Sequence, residues 1–307
     1  MKRTDDPPVL EPGWRGTVRA IFILVTLTIV TLILLPFQAA FLRWWPEGAR
    51  TLPHYYHRFL ARLLGMRVIV QGAPVADGPS LIVANHVSWL DIVALSAVAP
   101  LSFVAKSEVN GWPIFGTLAR LQRTVFVVRE RRSKAGQSRD EIAARLSAHD
   151  RLVLFPEGTS TDGLRVRNFK SALLGAAEIE IEGRVVTVQP LTIAYTGFRG
   201  LPMPRWLRPA FAWYGDMDLA PHLWFALQLG KFEVTIELHE PLTVTSSGSR
   251  KALAAEAERR VRAGLVSILN GVPARRQPAS GLDVAPRESD MVRVDTSGLH
   301  TEAPLEE

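Results

Sequence analysis

The residues of this chain best suited to chemistry are His86 and Asp91, which lie five positions apart in the sequence NHVSWLD. A neutral imidazole can accept the proton of a hydroxyl group near neutral pH, and a carboxylate behind the ring can fix its tautomer. The apolar run SLIVAN leads directly into His86, and Asp91 falls where a helix is predicted to start. The pattern predicts a general base and its orienting carboxylate at a junction between a strand and a helix, where sites of α/β proteins usually lie.

The spacing of five sets a condition on this pair. Residues five apart in a continuous helix point about 140° away from each other, so the two side chains meet only if His86 precedes the helix. Each residue also has a simpler interpretation. Ser88 and Asp91 form a capping-box pattern ahead of Ile92, and His86 has the alternative of a hydrogen-bonded core histidine.

A second polar segment, FPEGTSTDG at 155–163, follows the apolar run RLVLF. Gly158 allows backbone amides to approach a ligand, and the hydroxyl groups of Thr159 and Ser160 can donate to phosphate or glycerol oxygens. The same residue types also form ordinary turns after strands. By itself the segment is compatible with a binding loop or with a plain turn.

The positive charge of the chain is concentrated in one segment. The net charge is +6, and residues 101–170 hold 13 Lys and Arg against 7 Asp and Glu, so the remainder is balanced. Such a block attracts nucleic acid, an anionic membrane surface, phosphorylated substrates or an acidic carrier protein. Within it, Lys106 and Arg129 follow the apolar runs LSFVAK and TVFVV, where a cation can bind phosphate or merely solvate a surface.

Several classes of site are excluded or disfavoured. The chain contains no cysteine, which excludes disulfides, thiolate metal ligands and a cysteine nucleophile. The patterns G-x-S-x-G, G-x-x-x-x-G-K-[ST] and H-E-x-x-H are absent. His54 and His57 have a metal-compatible spacing but no third ligand nearby, so we expect no metal site and no cofactor.

The elements that must position these residues form an α/β pattern. From Arg67 onward, short β-rich runs alternate with helical stretches near 91–99, 135–148, 169–180 and 220–230, which predicts an α/β domain. The β-rich runs are RVIVQG, SLIVAN, TVFVV, RLVLF, VVTVQPLTI and FEVTIELHE. After about Gly271 the chain is rich in Pro, Ser, Gly and charge without periodicity, which predicts a disordered tail.

A membrane segment is predicted near the N-terminus. Residues 20–42 carry no charge and are followed by Trp44 and Trp45, which suits a helix long enough to cross a bilayer. A cleaved signal peptide is the less favoured alternative. Equal numbers of basic residues flank the segment, so it either spans the membrane or re-enters the same face with a turn at Pro36.

The next stretch, PHYYHRFLARLLGM at 53–66, has an apolar face beside Arg58 and Arg62. It predicts a helix that lies on the membrane or, alternatively, one that packs on the core. The predicted organisation is therefore an N-terminal cytoplasmic segment at 1–19, membrane-anchoring and interfacial helices at 20–66, the α/β domain at 67–270 and the tail at 271–307.

Taken in order, NHVSWLD, the stretch from Lys106 to Arg129, FPEGTS and VQPLTI strongly resemble the lysophosphatidate acyltransferase family of the glycerophospholipid acyltransferase superfamily. The resemblance covers about 65–245. It implies a single glycerol-3-phosphate-acyltransferase-like domain, in which a mixed sheet is flanked by helices, with an N-terminal membrane helix or helical hairpin. It also implies direct transfer from an acyl-carrier protein or coenzyme A thioester to a lysolipid hydroxyl, without an acyl-enzyme.

The resemblance also implies roles for individual residues. His86 becomes the catalytic base and Asp91 its orienting carboxylate. Arg129, which matches the second motif together with Phe126, becomes a ligand of the acceptor phosphate, with Lys106 as a helper; Arg123 replaces the glycine of that motif. The acceptor-binding third motif is matched by Glu157, Gly158 and Thr159, and the fourth motif, placed near the acyl donor or in a structural part of the site, by Val188, Pro190 and Ile193.

The acceptor is the finer question. The resemblance favours 1-acyl-sn-glycerol-3-phosphate, giving phosphatidic acid, at the cytoplasmic face of the inner membrane. However, Ser160 stands where many members have arginine, and FPEGTSTDG together with WYGDM at 213–217 is similar to bacterial lyso-ornithine lipid acyltransferases. Lyso-ornithine lipid is thus the alternative acceptor, and a non-catalytic lipid-binding protein is the rival class. Few aromatics interleave with the basic residues, which disfavours nucleic acid as a partner.

Overall fold

The computed structural model describes residues 12–73, 76, 80–127 and 132–271, with backbone alone for 132–138. The predicted tail beyond residue 271, the first eleven residues and Arg129 lie outside the described residues. The predicted boundaries of the N-terminal segment and of the tail therefore stay predictions.

A mixed sheet forms the centre of the described chain, as the resemblance implied. Its strand order is β1-β10-β8-β2-β5-β3-β4, and neighbours are parallel except for β10 against β8. The short β9 pairs with β8, and β6 pairs with β7 in a separate hairpin. The strands are β1 (Met66–Gly72), β2 (Ser80–Ala84), β3 (Ser102–Lys106), β4 (Val125–Val127), β5 (Leu152–Leu154), β6 (Glu180–Ile181), β7 (Arg184–Val185), β8 (Thr187–Phe198), β9 (Leu201–Pro202) and β10 (Phe232–Leu238).

Helices cover both faces of this sheet. They are α1 (Trp14–Trp44), α2 (Pro46–Leu64), α3 (Leu90–Val98), α4 (Phe115–Leu121), α5 (Arg132–Ser147), α6 (Leu219–Gln228), α7 (Val244–Ser247) and α8 (Arg250–Leu269). Three 3₁₀ segments lie at Ser107–Gly111, Ser171–Glu178 and Arg205–Ala210. The stretch predicted to be helical at 169–180 is thus a 3₁₀ segment, kinked at Leu174.

Side chains of β2 point alternately into two apolar cores, one on each face of the sheet. Ile82 and Ala84 join the apolar core beneath α1, α2, α3 and α6, whereas Leu81 and Val83 join the core beneath α5 and α8. Side chains of a strand point alternately to opposite faces, so a strand covered on both sides must be apolar throughout. The continuous run SLIVA follows from this position in the middle of the sheet.

Helix α1 is long and apolar enough to cross a membrane, and only 11% of its most apolar window is buried. It continues through Pro36 and ends at Trp44, so the alternative with a turn at Pro36 does not match the structure. Apolar surroundings tolerate a proline inside a helix when neighbouring helices support it. The chain instead reverses at Trp45, directly ahead of α2.

The domain holds α1 at both ends. The guanidinium of Arg19 donates to the carbonyls of Leu227 and Leu64, the latter at 2.7 Å. Gln38 Nε2 donates to the carbonyl of Leu121 at 2.7 Å. These two attachment points are about 28 Å apart along the helix axis. Helix α1 therefore lies along the domain and does not project away from it.

Helix α2 packs on the core, which is the alternative left open for 53–66. Leu60, Ala61 and Leu64 are buried, and the helix contacts α3. Gly65 ends the helix with a φ of +70°, a left-handed conformation that favours glycine. The chain then enters β1 at Met66.

A charge cluster ties α2 to the edge of the sheet at which β5 begins. Asp150, whose side chain is 3% exposed, accepts hydrogen bonds from Arg50 at 2.8 Å, from both terminal nitrogens of Arg123, and from Arg145. Burial on its own would raise the pKa of Asp150, but the hydrogen bonds and charges of Arg145 and Arg123 lower it below its usual value. Arg123 has a φ of +62°, which explains why glycine suits this position of the second motif.

Candidate active site

His86 lies in the connection between β2 and α3, so the geometric condition set by its spacing from Asp91 is met. β2 ends at Ala84, and α3 begins at Leu90. The ring nitrogen His86 Nδ1 lies 2.8 Å from Asp91 Oδ2. The Asp91 side chain is fully buried, whereas 19% of the His86 side chain is exposed. The histidine therefore reaches the surface with a buried carboxylate behind it.

The carboxylate of Asp91 is held by three further donors. The backbone N–H groups of Val87 and Ser88 donate to Oδ2 at 2.7 and 3.0 Å. The hydroxyl of Tyr195 donates to Oδ1 at 2.8 Å. Asp91 thus satisfies backbone donors, as the capping alternative requires, and contacts the imidazole at the same time. Because Nδ1–H donates to the carboxylate, Nε2 is left to accept a proton.

The FPEGTSTDG segment fixes the backbone of His86. Glu157 Oε1 accepts the His86 N–H at 3.1 Å, and the Thr161 N–H donates to the His86 carbonyl at 2.9 Å. The ring of Phe155 stacks on the imidazole with centroids 4.1 Å apart and planes 16° apart. Although 71 positions separate Glu157 from His86, parallel pairing of β2 with β5 places both at the same edge of the sheet.

Glu157 is a buried carboxyl group. It is 2% exposed, and its second oxygen accepts the N–H of Arg167 at 3.2 Å. Burial raises the pKa of Glu157 to about 8, although the N–H groups of His86 and Arg167 act in the opposite direction. The group is thus mostly protonated at neutral pH. Its observed hydrogen bonds are with the backbone N–H groups of His86 and Arg167.

The segment FPEGTSTDG forms a turn, and its role as a loop that binds a ligand stays a prediction. Gly158 has a φ of +76°, which requires glycine, and its N–H donates to the Phe155 carbonyl at 3.1 Å. Thr159 is half-buried beside it. The segment is a tight turn that lies against the His86 backbone.

Ser160 connects this turn to the segment WYGDM. Its hydroxyl donates to the carbonyl of Trp213, and the Trp213 N–H donates to the carbonyl of Val87 at 3.0 Å. Ser160 is 9% exposed. At this position, where the resemblance gives many members an arginine, the chain has a buried hydroxyl that links the turn to the segment around Trp213.

Of the two cations predicted to bind phosphate, only Lys106 falls among the described residues. It is exposed at the last position of β3, and β3 is parallel to β5. Lys106 therefore lies at the same edge of the sheet as His86 and Glu157. The structure brings together His86, Asp91, Glu157, Gly158 and Thr159 and places Lys106 at their edge.

Two residues of the site were missed in the sequence. Tyr195 supports Asp91, and Asn85 holds β8 by pairing with both the N–H and the carbonyl of Ile193 at 2.8 and 2.9 Å. The signal for Tyr195 was its alternation with Ile193, because residues two apart in a strand share a face. Asn85 directly precedes His86 at the end of the apolar run SLIVAN, and no pattern in the sequence marked its contact with β8.

His54 and His57 each place Nδ1 against a backbone carbonyl. His54 Nδ1 lies 2.6 Å from the carbonyl of Ser96, and His57 Nδ1 lies 2.7 Å from that of Pro53. Within the described ranges, no group of three or more His, Asp or Glu side chains is placed to hold a metal ion. Their hydrogen bonds explain both histidines as parts of α2 and its packing.

A histidine held by a buried carboxylate at the edge of a mixed sheet is an arrangement able to activate a hydroxyl group. The family model described as "Acyltransferase" matches residues 67–194. The chain belongs to this acyltransferase family, and it is an O-acyltransferase that acylates a lysolipid.

Curated relatives agree along most of the chain. It is 49% identical over 259 residues to the lyso-ornithine lipid O-acyltransferase of Brucella abortus, covering 83% of this chain and 97% of the relative. The lyso-ornithine lipid O-acyltransferase of Rhizobium meliloti is 43% identical, and the match covers 85% of this chain and 91% of that relative. The 1-acyl-sn-glycerol-3-phosphate acyltransferase of Neisseria gonorrhoeae is 32% identical, and the match covers 62% of this chain and 72% of that relative.

A solved structure shows the same fold. The 1-acyl-sn-glycerophosphate acyltransferase PlsC of Thermotoga maritima matches with a TM-score of 0.54 and 22% identity, covering 82% of this chain and 97% of that protein. The described architecture is therefore the fold that the motifs implied.

Proposed function

We propose that the acceptor of this O-acyltransferase is lyso-ornithine lipid. The observation that carries the proposal is the 49% identity to the Brucella abortus enzyme over 97% of that protein. Ser160 supports it, because its buried hydroxyl binds the Trp213 carbonyl where a phosphate acceptor would favour a cation. The motifs alone favoured lysophosphatidate, and the relatives change that order.

In the proposed reaction, His86 Nε2 accepts the proton of the acceptor hydroxyl as its oxygen attacks the thioester carbonyl. An ester C–O bond forms, the C–S bond breaks, and the thiolate leaves with the proton returned from the imidazolium. Asp91 keeps the ring in the required tautomer and stabilises its positive charge. Glu157 and Thr159 are proposed to shape the acceptor side of the site through the turn that clamps the His86 backbone.

The proposed donor is a thioester of acyl-carrier protein or coenzyme A, acting as co-substrate without a further cofactor. Both donors are acidic. The exposed cation Lys106, in the basic segment of the chain, offers them complementary charge. Arg129 belongs to the same proposal but lies outside the described residues.

The proposed location is the inner membrane, with the domain on the cytoplasmic face. Acyl thioesters are cytoplasmic metabolites, and the acceptor is a membrane lipid. Helix α1 exposes apolar side chains along the domain while Arg19 and Gln38 hold it there. This arrangement favours a helix that enters the near leaflet over one that leaves the domain to span the bilayer.

Lysophosphatidate is the second candidate acceptor. It is supported by the 32% identity to the Neisseria gonorrhoeae enzyme and by the excess of basic residues between 101 and 170. An anionic phosphomonoester would be attracted by Lys106 at the edge of the site.

The deciding experiment supplies the purified full-length protein with labelled acyl-carrier protein or coenzyme A thioester and each acceptor separately. Product from lyso-ornithine lipid at the higher kcat/KM supports the proposal, whereas preferential formation of phosphatidic acid contradicts it. His86→Ala should abolish product from either acceptor. His149→Asn, a change of an exposed histidine beside Asp150, is the matched control and should retain activity.

A further inference from the structure

A short turn beside the active site exposes large apolar side chains. It connects the 3₁₀ segment Ser107–Gly111 to α4 and consists of Trp112, Pro113, Ile114 and Phe115. Trp112 and Phe115 are each 37% exposed, and Ile114 is 74% exposed. Single exposed apolar residues are ordinary on a protein surface, but three of them in one uncharged turn form a patch.

Ile114 stands at the apex of this turn. Its φ of +62° and ψ of −58°, with the Phe115 N–H donating to the Pro113 carbonyl at 2.6 Å, define a γ-turn. This conformation is unfavourable for a β-branched residue. The base of the turn is closely packed, since a Cβ on Gly116 would lie 2.3 Å from the Asn110 carbonyl oxygen. The apolar tip is therefore presented by a tightly built turn.

The turn borders the active site. The rings of Trp112 and Trp213 meet edge to face with centroids 6.0 Å apart. Trp213 in turn donates its N–H to the carbonyl of Val87, the residue after His86. A lipid that approaches His86 along this side passes the turn.

The turn also lies near α1. Phe115 is the first residue of α4, and Leu121, the last, accepts the hydrogen bond of Gln38. Seven helical residues extend about 10 Å, so the turn lies close to the second half of α1. In that half of α1, Leu32, Ile33 and Phe37 are each more than half exposed.

We propose that Trp112, Ile114 and Phe115 insert into the lipid bilayer as a second membrane contact, which holds the mouth of the active site against the lipid surface. Tryptophan suits the boundary between headgroups and acyl chains. Arg120 on α4, which donates to Asn110 at the base of the turn, places a cation at headgroup level. An acidic carrier protein is the less suitable occupant, because the tip itself carries no charge.

The absence of cysteine from the chain allows a direct test. Full-length Ile114→Cys, carrying a polarity-sensitive dye, is placed in vesicles of phosphatidylcholine and phosphatidylglycerol with nitroxide-labelled lipid. Val266→Cys is the matched control, since Val266 is 55% exposed on α8, on the opposite side of the sheet from α1. We expect a blue shift and lipid quenching for the dye at 114 and neither at 266.

Two results of this experiment would overturn the proposal. One is a dye at position 114 that stays as water-exposed as the dye at position 266. The other is a dye that responds only when acyl-carrier protein is added, which would assign the turn to the donor protein.

A kinetic measurement separates membrane contact from a structural role. Ile114→Gly removes the apolar side chain and suits a positive φ, so its unfolding temperature should match that of the unchanged protein. We expect a several-fold loss of kcat/KM for a long-chain acceptor in vesicles and none for a monomeric short-chain acceptor. An equal loss with both acceptors would contradict the proposal. Neither readout depends on which lysolipid is the preferred acceptor.

Discussion

Tyr195 donates its phenolic hydrogen to Asp91 Oδ1 at 2.8 Å, while Asp91 Oδ2 holds His86 Nδ1 at the same distance. The three side chains form a continuous line from the core to the surface. The tyrosine is 3% exposed, packed against Phe211 and Phe232. Burial, with the neighbouring Asp91 carboxylate, raises the pKa of Tyr195 well above its ordinary value, so it remains a donor.

Tyr195→Phe should lower kcat by roughly 10- to 100-fold, since a hydrogen bond to a charged group contributes about 1.5–3 kcal/mol. The phenyl ring keeps the packing, so KM should change little, while the lost buried hydrogen bond should also lower the unfolding temperature. Tyr56→Phe is the control, because Tyr56 also bonds a hydroxyl group, that of Thr31, but at the α1–α2 contact. Equal losses of kcat in the two variants would show that Tyr195 acts through stability alone.

Asp91→Asn should lower kcat by roughly 10²–10⁴-fold, within the range for losing a correctly held general base. The amide cannot accept from both backbone N–H groups and His86 Nδ1–H in the same way, so the ring loses its orientation. Steady-state kinetics with saturating donor measure the effect. A variant with unchanged kcat would leave Asp91 as a helix cap only and remove it from the mechanism.

Glu157 should make stability depend on pH. Its pKa is raised from 4.5 to about 8 in the folded protein, so the unfolded chain loses this proton first as the pH rises. The contribution is complete below pH 4.5, declines up to about pH 8 and then stays constant, with a total on the order of a few kcal/mol. Unfolding free energies measured across this window should fall less steeply for Glu157→Gln. Parallel slopes for the two proteins would contradict the assignment.

Asp150→Asn should destabilise the fold by about 3–5 kcal/mol, because it leaves the Arg50, Arg123 and Arg145 guanidinium groups without their buried carboxylate. The lowered pKa of Asp150 means that its contribution is present above about pH 4 and is lost as the pH falls through its folded-state value. Denaturant unfolding at pH 7 measures the difference. The exposed pairs of Glu256 with Arg259 and Arg260 provide the control, since Glu256→Gln should cost less than about 1 kcal/mol. A similar cost in both variants would contradict a stabilising role for the Asp150 charge cluster.

Much of the fold could be predicted because it follows from local patterns. The apolar run around β2 and the motif after it located a strand, a connection and a helix start, and the six predicted β-rich runs all contain strands. The spacing of His86 and Asp91 defined the condition under which they meet, and the structure satisfies it. Of the two alternatives left open for the N-terminal segment, the turn at Pro36 does not form, since an apolar helix supported by its neighbours tolerates a proline.

The sequence by itself determined the succession of strands and helices and the apolar N-terminal helix, because residue type and periodicity act over a few neighbouring positions, and the order of its motifs implied the class of chemistry by resemblance. Only the tertiary structure decided three contacts of the site. The Tyr195 hydroxyl donates to Asp91, the His86 N–H donates to Glu157, and the Trp213 N–H donates to the Val87 carbonyl. These contacts depend on β2 pairing with both β5 and β8 in one register. Strand partners are chosen by the packing of the whole sheet, and no local pattern records that choice.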